Sequence, residues 1–247
     1  MIVGLDRKSL DQLEHRALSK KPVKLRPRDA ASVLVLDRSG TDIRILMGKR
    51  RDDLAFMPGQ FVFPGGRTDR DDCRIKPVAP LAPHVARQLA GGIGRGGEKR
   101  AETIALSALR ECYEETGLLI GASVEDAPGR NWPAFAALGI APALDGMAYI
   151  ARAITPPGRV RRFDSRFFAV WREAVACEAP DGPPEQEFSE IVWVTFAQTA
   201  GLDLPGITRT IIEELRQRLE ADPDLAAVHG VAEFRMRGNT FVREVRV

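Results

Sequence analysis

The chain is poor in cysteine. Three in 247 residues, with no Cys-x-x-Cys spacing, suggest neither a zinc site nor a disulfide framework. It also lacks a long apolar run. No segment approaches the ~20 residues needed to span a bilayer, so no membrane partner is expected. The first twenty residues mix acids and bases and contain no apolar core of a secretory leader. Their acidic residues also argue against a transit peptide, and a cytoplasmic location is the expectation. An excess of charge is missing too. A net charge of +2 gives no footprint for nucleic acid. The local cluster Lys20, Lys21, Lys24, Arg26 and Arg28 reads as a solvated arm.

What is present is an ordinary globular pattern with one unusual stretch. Residues 1–28 read as an N-terminal extension with a short amphipathic helix at Lys8 to Leu18, ended by Pro22 and Pro27. Ala30 to Asp37 and Ile43 to Met47 are apolar runs around Arg38-Ser39-Gly40-Thr41, a β-hairpin pattern. Gln60 to Phe63 is a third strand, closed by a Pro64-Gly65-Gly66 turn where backbone can approach a ligand. Residues 67–101 are irregular, with a short helix at His84 to Ala90 and a Gly-rich tail over 91–97. No Gly-Lys-Ser/Thr follows that tail, so it is not a P-loop. Strands are expected at Met147 to Ile154, Arg166 to Trp171 and Glu190 to Phe196. A short helix is expected at Pro133 to Leu138, and an amphipathic one at Pro205 to Leu219. A hairpin over 234–245 lies in a C-terminal extension, 223–247.

The unusual stretch is the helix from Glu98 to Thr116. Ile104, Ala105, Ala108, Leu109 and Cys112 form its apolar face, and Gly117 stops it. Cys112 on that face is a small core residue rather than a nucleophile. Glu111, Glu114 and Glu115 stand at i, i+3 and i+4, so a helix puts three carboxylates on one face. Like charges at that spacing repel. A solvated face balanced by Lys or Arg is the plain alternative, but Lys99 and Arg100 lie more than two turns upstream. A hard cation with oxygen ligands, such as Mg²⁺, suits the arrangement.

These residues resemble the signature of the Nudix hydrolase family: Gly, five residues, Glu, seven residues, then Arg-Glu-aliphatic-x-Glu-Glu-x-Gly-aliphatic. Glu102, seven residues, and Arg110-Glu111-Cys112-Tyr113-Glu114-Glu115-Thr116-Gly117-Leu118 match it, with Cys112 in an aliphatic position. Gly96 meets the five-residue gap to Glu102. The family's glycine, however, follows a strand in a Pro-Gly-Gly turn, which favours Gly66 with 67–101 as an insertion. That insertion and Met57 to Gly66 are similar to the coenzyme A diphosphatase branch, although Ala55 stands where that branch usually has Arg.

The resemblance implies an α+β fold, an α/β/α sandwich with a mixed sheet between helices, in a domain over 29–222. It implies a Mg²⁺- or Mn²⁺-dependent diphosphatase acting on a small nucleoside diphosphate-X. Coenzyme A or an acyl-coenzyme A is the first substrate expected. ADP-ribose, NADH or a nucleotide sugar is the alternative, and so is a nucleotide-sensing module without catalysis. Glu111, Glu114 and Glu115 are the expected metal ligands, with Glu102 as an outer ligand. Arg110 is expected to orient a glutamate, and Gly65 and Gly66 to bring backbone to the substrate. Glu187 and Glu190, with Glu185 behind them, are the candidates for a general base. Arg159, Arg161 and Arg162 near Phe163 read as an exposed charge run before a substrate contact. Trp132, Phe163, Phe167 and Phe168 read as core. A role for the insertion and the terminal hairpin in homodimer contacts stays open.

Overall fold

Strand β1 (Arg28–Asp37) is the axis of the molecule. Its alternate residues feed opposite faces, as a pleated strand must. Ala31, Val33 and Val35 enter one apolar layer, and Leu34 and Leu36 the other. A computed structural model describes residues 2–14, 18, 25–92, 97–125 and 132–246. The Gly96 placement and the lysines of the basic arm lie outside them.

Strands β2 (Arg44–Arg50), β3 (Phe61–Val62) and β4 (Gly65–Arg67) follow β1. Later come β7 (Ala148–Ile154), β8 (Phe163–Trp171), β10 (Phe188–Thr195), β11 (Val231–Arg237) and β12 (Thr240–Arg246). Together they form a mixed sheet in the order β10-β2-β1-β8-β7-β11-β12, with β3 on β2 and β4 on β1. The β1–β8 and β7–β11 pairs are parallel. A small second sheet is built from β5 (Leu118–Ser123), β6 (Ile140–Pro142) and β9 (Val175–Glu178).

Helices cover both faces. α3 (Gly97–Thr116) packs Ile104, Ala105, Ala108, Leu109 and Cys112 against the Val33 face, with α2 (Pro83–Gly92) and α4 (Pro133–Ala137) beside it. α5 (Gly206–Ala221) packs Ile211, Leu215 and Leu219 against the Leu34 face. Burying each such side chain contributes roughly 1.5–3 kcal/mol, which far outweighs intrinsic helix propensity. The fold is therefore the expected α+β arrangement, a mixed sheet between helices.

Three local expectations change. Pro64-Gly65-Gly66 is not a turn: Gly65 and Gly66 pair with Ser32 and Ala31 as strand β4. The terminal hairpin is not peripheral: β11 adds to β7 and completes one side of the main sheet. Strand β9 was not expected. It is short and alternates partly buried with exposed positions around Cys177. At the N-terminus, α1 (Arg7–Leu13) packs its buried Leu10 into the layer that holds Phe241.

Asp37, at the end of β1, is a buried acid with three partners: the Ser39 N–H at 2.8 Å, Arg44 at 2.5 Å and Arg172 at 3.3 Å. The Ser39 hydrogen bonds, followed by the charge of Arg44, lower its pKa to about 2 against the cost of burial. A depressed carboxyl stabilises the fold above its unfolded pKa and loses that contribution as pH falls through the folded value. Asp37→Asn should thus cost about 2 kcal/mol at pH 7, and the gap to the wild type should close as pH falls from 4 towards 2. Thermal melts across that range check this, and a gap independent of pH would contradict it.

Candidate active site

The C-terminal half of α3 meets the β4 glycines, and carboxylates gather there. Glu115 is 2% exposed, and its Oε2 accepts the Gly65 N–H at 2.8 Å. It therefore turns inward onto β4 and away from Glu111 and Glu114, with which the helix spacing grouped it. Gly66 faces Glu111: a Cβ at Gly66 would lie 2.4 Å from the Glu111 carboxyl carbon. Both glycines are used for close approach, one by its amide and one by its missing side chain.

Arg110 is the counter-charge. It donates to Glu114 at 2.6 Å, to the Arg67 carbonyl at 2.9 Å, and it pairs with Glu111 at 3.0 Å. Its Nε donates to Asp72 Oδ1 at 2.8 Å and its Nη2 to Oδ2 at 3.2 Å. Asp72 is fully buried in a 3-10 turn, Asp71–Arg74, and also accepts the Asp69 N–H at 2.7 Å. Burial disfavours the Arg110 charge, but Asp72, Glu111 and Glu114 together raise its pKa above the ordinary value. Arg110 thus contacts Glu111 and Glu114, and Asp72 in turn pairs with Arg110.

Asp72 was missed in the sequence although the signal was there. It stands five residues beyond Gly66, the gap the signature requires, with Asp in place of Glu. Thirty-seven residues separate it from Arg110, whereas seven separate Glu102 from Arg110. Glu102 behaves differently. It is half-buried on α3, roughly 14 Å of helix rise before Glu111, and it does not line the cleft.

Burial raises the pKa of all three signature glutamates. Glu111 reaches about 7, through desolvation and then, against Arg110, the charges of Glu114 and Glu185. Glu114 is raised by burial against the pull of Arg110. Glu115 lies well above its usual value through burial, with Glu187 and Glu111 adding to it. Cys112, by contrast, is simply a core thiol, pushed up to about 12 by burial.

The loop before β10 closes the site. The Glu185 N–H donates to the Glu114 carbonyl at 2.9 Å, and the Ala179 N–H to the Gly117 carbonyl at 2.7 Å. Gly117, at φ +77°, ends α3 with its N–H on the Tyr113 carbonyl at 2.8 Å, in the left-handed conformation that glycine favours at a helix stop. Glu185 and Glu187 line the cleft, and Glu187 is ion-paired with Arg50. Glu190 does not join them: it pairs with Lys49 within the sheet and is exposed outside the cleft.

The cleft has a volume of about 1140 Å³ and runs from these acids to Arg28, Arg161 and Arg162. Arg159 also lines it but is 1% exposed, clamped by Asp11 at 2.6 Å and Glu14 at 2.8 Å, so it is no surface charge. Trp132, Phe167 and Phe168 are buried, as expected, and Phe167 lines the cleft together with half-buried Phe163.

A NUDIX hydrolase from Alicyclobacillus acidocaldarius superposes with a TM-score of 0.63 at 22% identity, over 83% of this chain and 98% of that one. The chain has the Nudix hydrolase fold. The NUDIX domain of Shewanella oneidensis NrtR, solved with ADP ribose, is more distant, with a TM-score of 0.46 at 12% identity over 81% of this chain and 93% of that domain. No family model and no curated protein matches the chain.

Among the described residues of this Nudix fold, no three His, Cys, Asp or Glu side chains converge closely enough to hold a metal as they stand. Arg110 instead holds Glu111 and Glu114. The donor chemistry still suits a hard cation. The donors are all oxygen, and burial already disfavours the charge of each one, a cost that a bound divalent cation offsets. Among the described residues, no helix is long and apolar enough to cross a membrane.

Proposed function

We propose that this protein is a divalent-metal-dependent hydrolase of a diphosphate linkage in a nucleoside diphosphate-X. One observation carries the reading. Buried Glu115 and half-buried Glu111 meet Gly65 and Gly66, with half-buried Glu114 beside them, at one end of a cleft whose other end is basic. Glu111, Glu114 and Glu115 would hold Mg²⁺ or Mn²⁺. When bound, the ion neutralises phosphate charge and acidifies water.

The protein's own residues do the rest. Arg110 and Asp72 fix the carboxylates. Glu185 is the better candidate to accept a proton: its charge acts on both Glu111 and Glu114, whereas Arg50 restrains Glu187. Gly65 and Gly66 add no side chain of their own, so the Glu115 and Glu111 carboxylates can lie against the backbone at this end of the cleft. Coenzyme A or an acyl-coenzyme A is the first substrate to test, on the likeness of Met57 to Gly66 and of the long insertion to that branch.

The assay is hydrolysis of coenzyme A, acyl-coenzyme A, ADP-ribose, NADH and nucleotide sugars with Mg²⁺ or Mn²⁺. Glu114→Gln should lower kcat by at least ~10²-fold on the best substrate. Wild-type turnover no greater than that of the variant on every compound would refute hydrolysis and leave a sensing module. Cleavage of ADP-ribose or NADH alone would remove the coenzyme A assignment and keep the diphosphatase.

A further inference from the structure

The N-terminal extension has no part in the chemistry above, yet it supplies one wall of the cleft. Ile2, Leu13 and Glu14 line the cleft from around α1, and Leu25 and Arg26 from the chain before β1. Ile2 is buried and packs against the start of α5, where a Cβ at Gly206 would lie 2.6 Å from its Cγ2. Backbone bonds fix this segment to the terminal hairpin. The Gly4 N–H donates to the Phe241 carbonyl at 2.8 Å, the Phe241 N–H to the Leu5 carbonyl at 2.9 Å, and the Arg7 N–H to the Asn239 carbonyl at 2.8 Å. Leu13, by contrast, is 59% exposed, an apolar side chain left open to the cleft.

The opposite anchor is Arg159, in the loop between β7 and β8. Its buried Nη1 donates to Asp11 at 2.6 Å, and its Nε and Nη2 donate to Glu14 at 3.1 and 2.8 Å. Asp11 and Glu14 stand at i and i+3, so α1 and its C-cap present both carboxylates to one guanidinium. Burial disfavours the Asp11 charge, but Arg159 and then Arg7 hold its pKa below the usual carboxylate value. Arg7 adds a bond to the Pro157 carbonyl of the same loop at 2.5 Å. Pro156, Val160 and Arg161 of that loop line the cleft. The loop ends at Phe163, four residues before Phe167, which is level with Ser32 and so with Gly65. The anchored wall therefore stands roughly 13 Å along the strands from the carboxylate end.

We infer that the N-terminal extension is a substrate-selecting wall of the cleft, positioned by Arg159, and that α1 meets the part of the substrate remote from the reacting phosphates. The inference deepens the diphosphatase reading and rests on it for what occupies the cleft. Contacts remote from the reacting atoms, made equally in the ground and transition states, act on KM and leave kcat alone. Without Arg159, the Asp11 and Glu14 carboxylates repel one another and α1 loses its hold on the loop.

The test is a KM-against-kcat split in the full-length protein at low ionic strength, on the best substrate of the hydrolysis assay. Leu13→Asp puts a like charge on the wall facing an anionic substrate, so KM should rise about tenfold with kcat within about threefold. Its melting temperature should stay within about 2 °C, because Leu13 is exposed. Leu138→Asp is the control, an exposed apolar site outside the cleft, and should leave both constants within about twofold. Arg159→Met should raise KM about tenfold with kcat within about threefold, and Arg159→Lys, which keeps the charge, should recover part of the affinity. A rise in KM below about threefold in Leu13→Asp, an equal rise in Leu138→Asp, or loss of kcat alone in Arg159→Met would overturn the wall. If calorimetry shows that the protein binds a compound of the assay and turnover shows that it cleaves none, a Kd about tenfold weaker in Leu13→Asp keeps the wall, and hydrolysis alone fails.

Discussion

Asp72→Ala should destabilise the protein by about 3 kcal/mol and lower hydrolysis by ~10²-fold. The stability loss follows from burial. Asp72 is fully buried, and its two oxygens serve the Arg110 guanidinium and the Asp69 N–H. Removing one member of a buried charge pair leaves the other desolvated, which costs about 3–5 kcal/mol. Glu111 and Glu114 remain as partners of Arg110 and bring the figure to the lower end. For a chain of this size the melting temperature should fall by roughly 6–12 °C.

The activity loss follows from geometry. Without Asp72, Arg110 is free to shift towards Glu111 and Glu114, and the carboxylates then leave the positions they hold beside Gly65 and Gly66. Asp72→Asn separates the two effects. The amide keeps an acceptor for the Asp69 N–H but loses the charge, so stability should recover in part while turnover stays low. Glu102→Gln is the control. Glu102 does not line the cleft, so its loss should change turnover by less than about twofold and melting by less than about 2 °C. Equal losses from Glu102→Gln and Asp72→Asn would show that the acid of the signature had been placed wrongly.

That comparison also marks how far the residues could be read in order. The α3 helix, its apolar face and its Gly117 stop follow from local periodicity and spacing, and they fold as expected. The contact between Asp72 and Arg110 spans 38 positions, and nothing in helix or strand periodicity reports it. The same holds for Glu115. Spacing along the helix puts it with Glu111 and Glu114, but β4, reached through a break at Pro64, draws it inward onto Gly65. Glu190 failed for the opposite reason. It is near Glu187 in sequence, but strand alternation and pairing with Lys49 carry it out of the cleft. The basic end was visible as arginines, yet the burial of Arg159 between Asp11 and Glu14 depends on where α1 packs.

The two glycines of β4 should respond to the same substitution in opposite ways. Gly65 has φ +151°, and a Cβ there would lie 2.4 Å from the Ala31 carbonyl oxygen and 2.5 Å from the Ser32 Cα. Those atoms belong to the central strand and cannot move without breaking the β1–β4 ladder. Gly65→Ala should therefore cost about 3 kcal/mol in stability, from backbone strain and overpacking together, and lose activity as a consequence. The three atoms nearest a Cβ at Gly66 all belong to the Glu111 carboxyl group, the far end of a flexible side chain. Gly66→Ala should leave the melting temperature within about 2 °C, because Glu111 can swing aside. It should still lower kcat by ~10²-fold, because the displaced carboxylate is one that the chemistry requires. Melting curves and turnover measured on both variants decide the matter. If Gly66→Ala keeps wild-type turnover, Glu111 is not needed where the structure places it, and the grouping of Glu111 with Glu114 and Glu115 as metal ligands fails. If Gly65→Ala melts with the wild type, the Gly65–Glu115 contact does not depend on the tight β1–β4 pairing that the geometry requires.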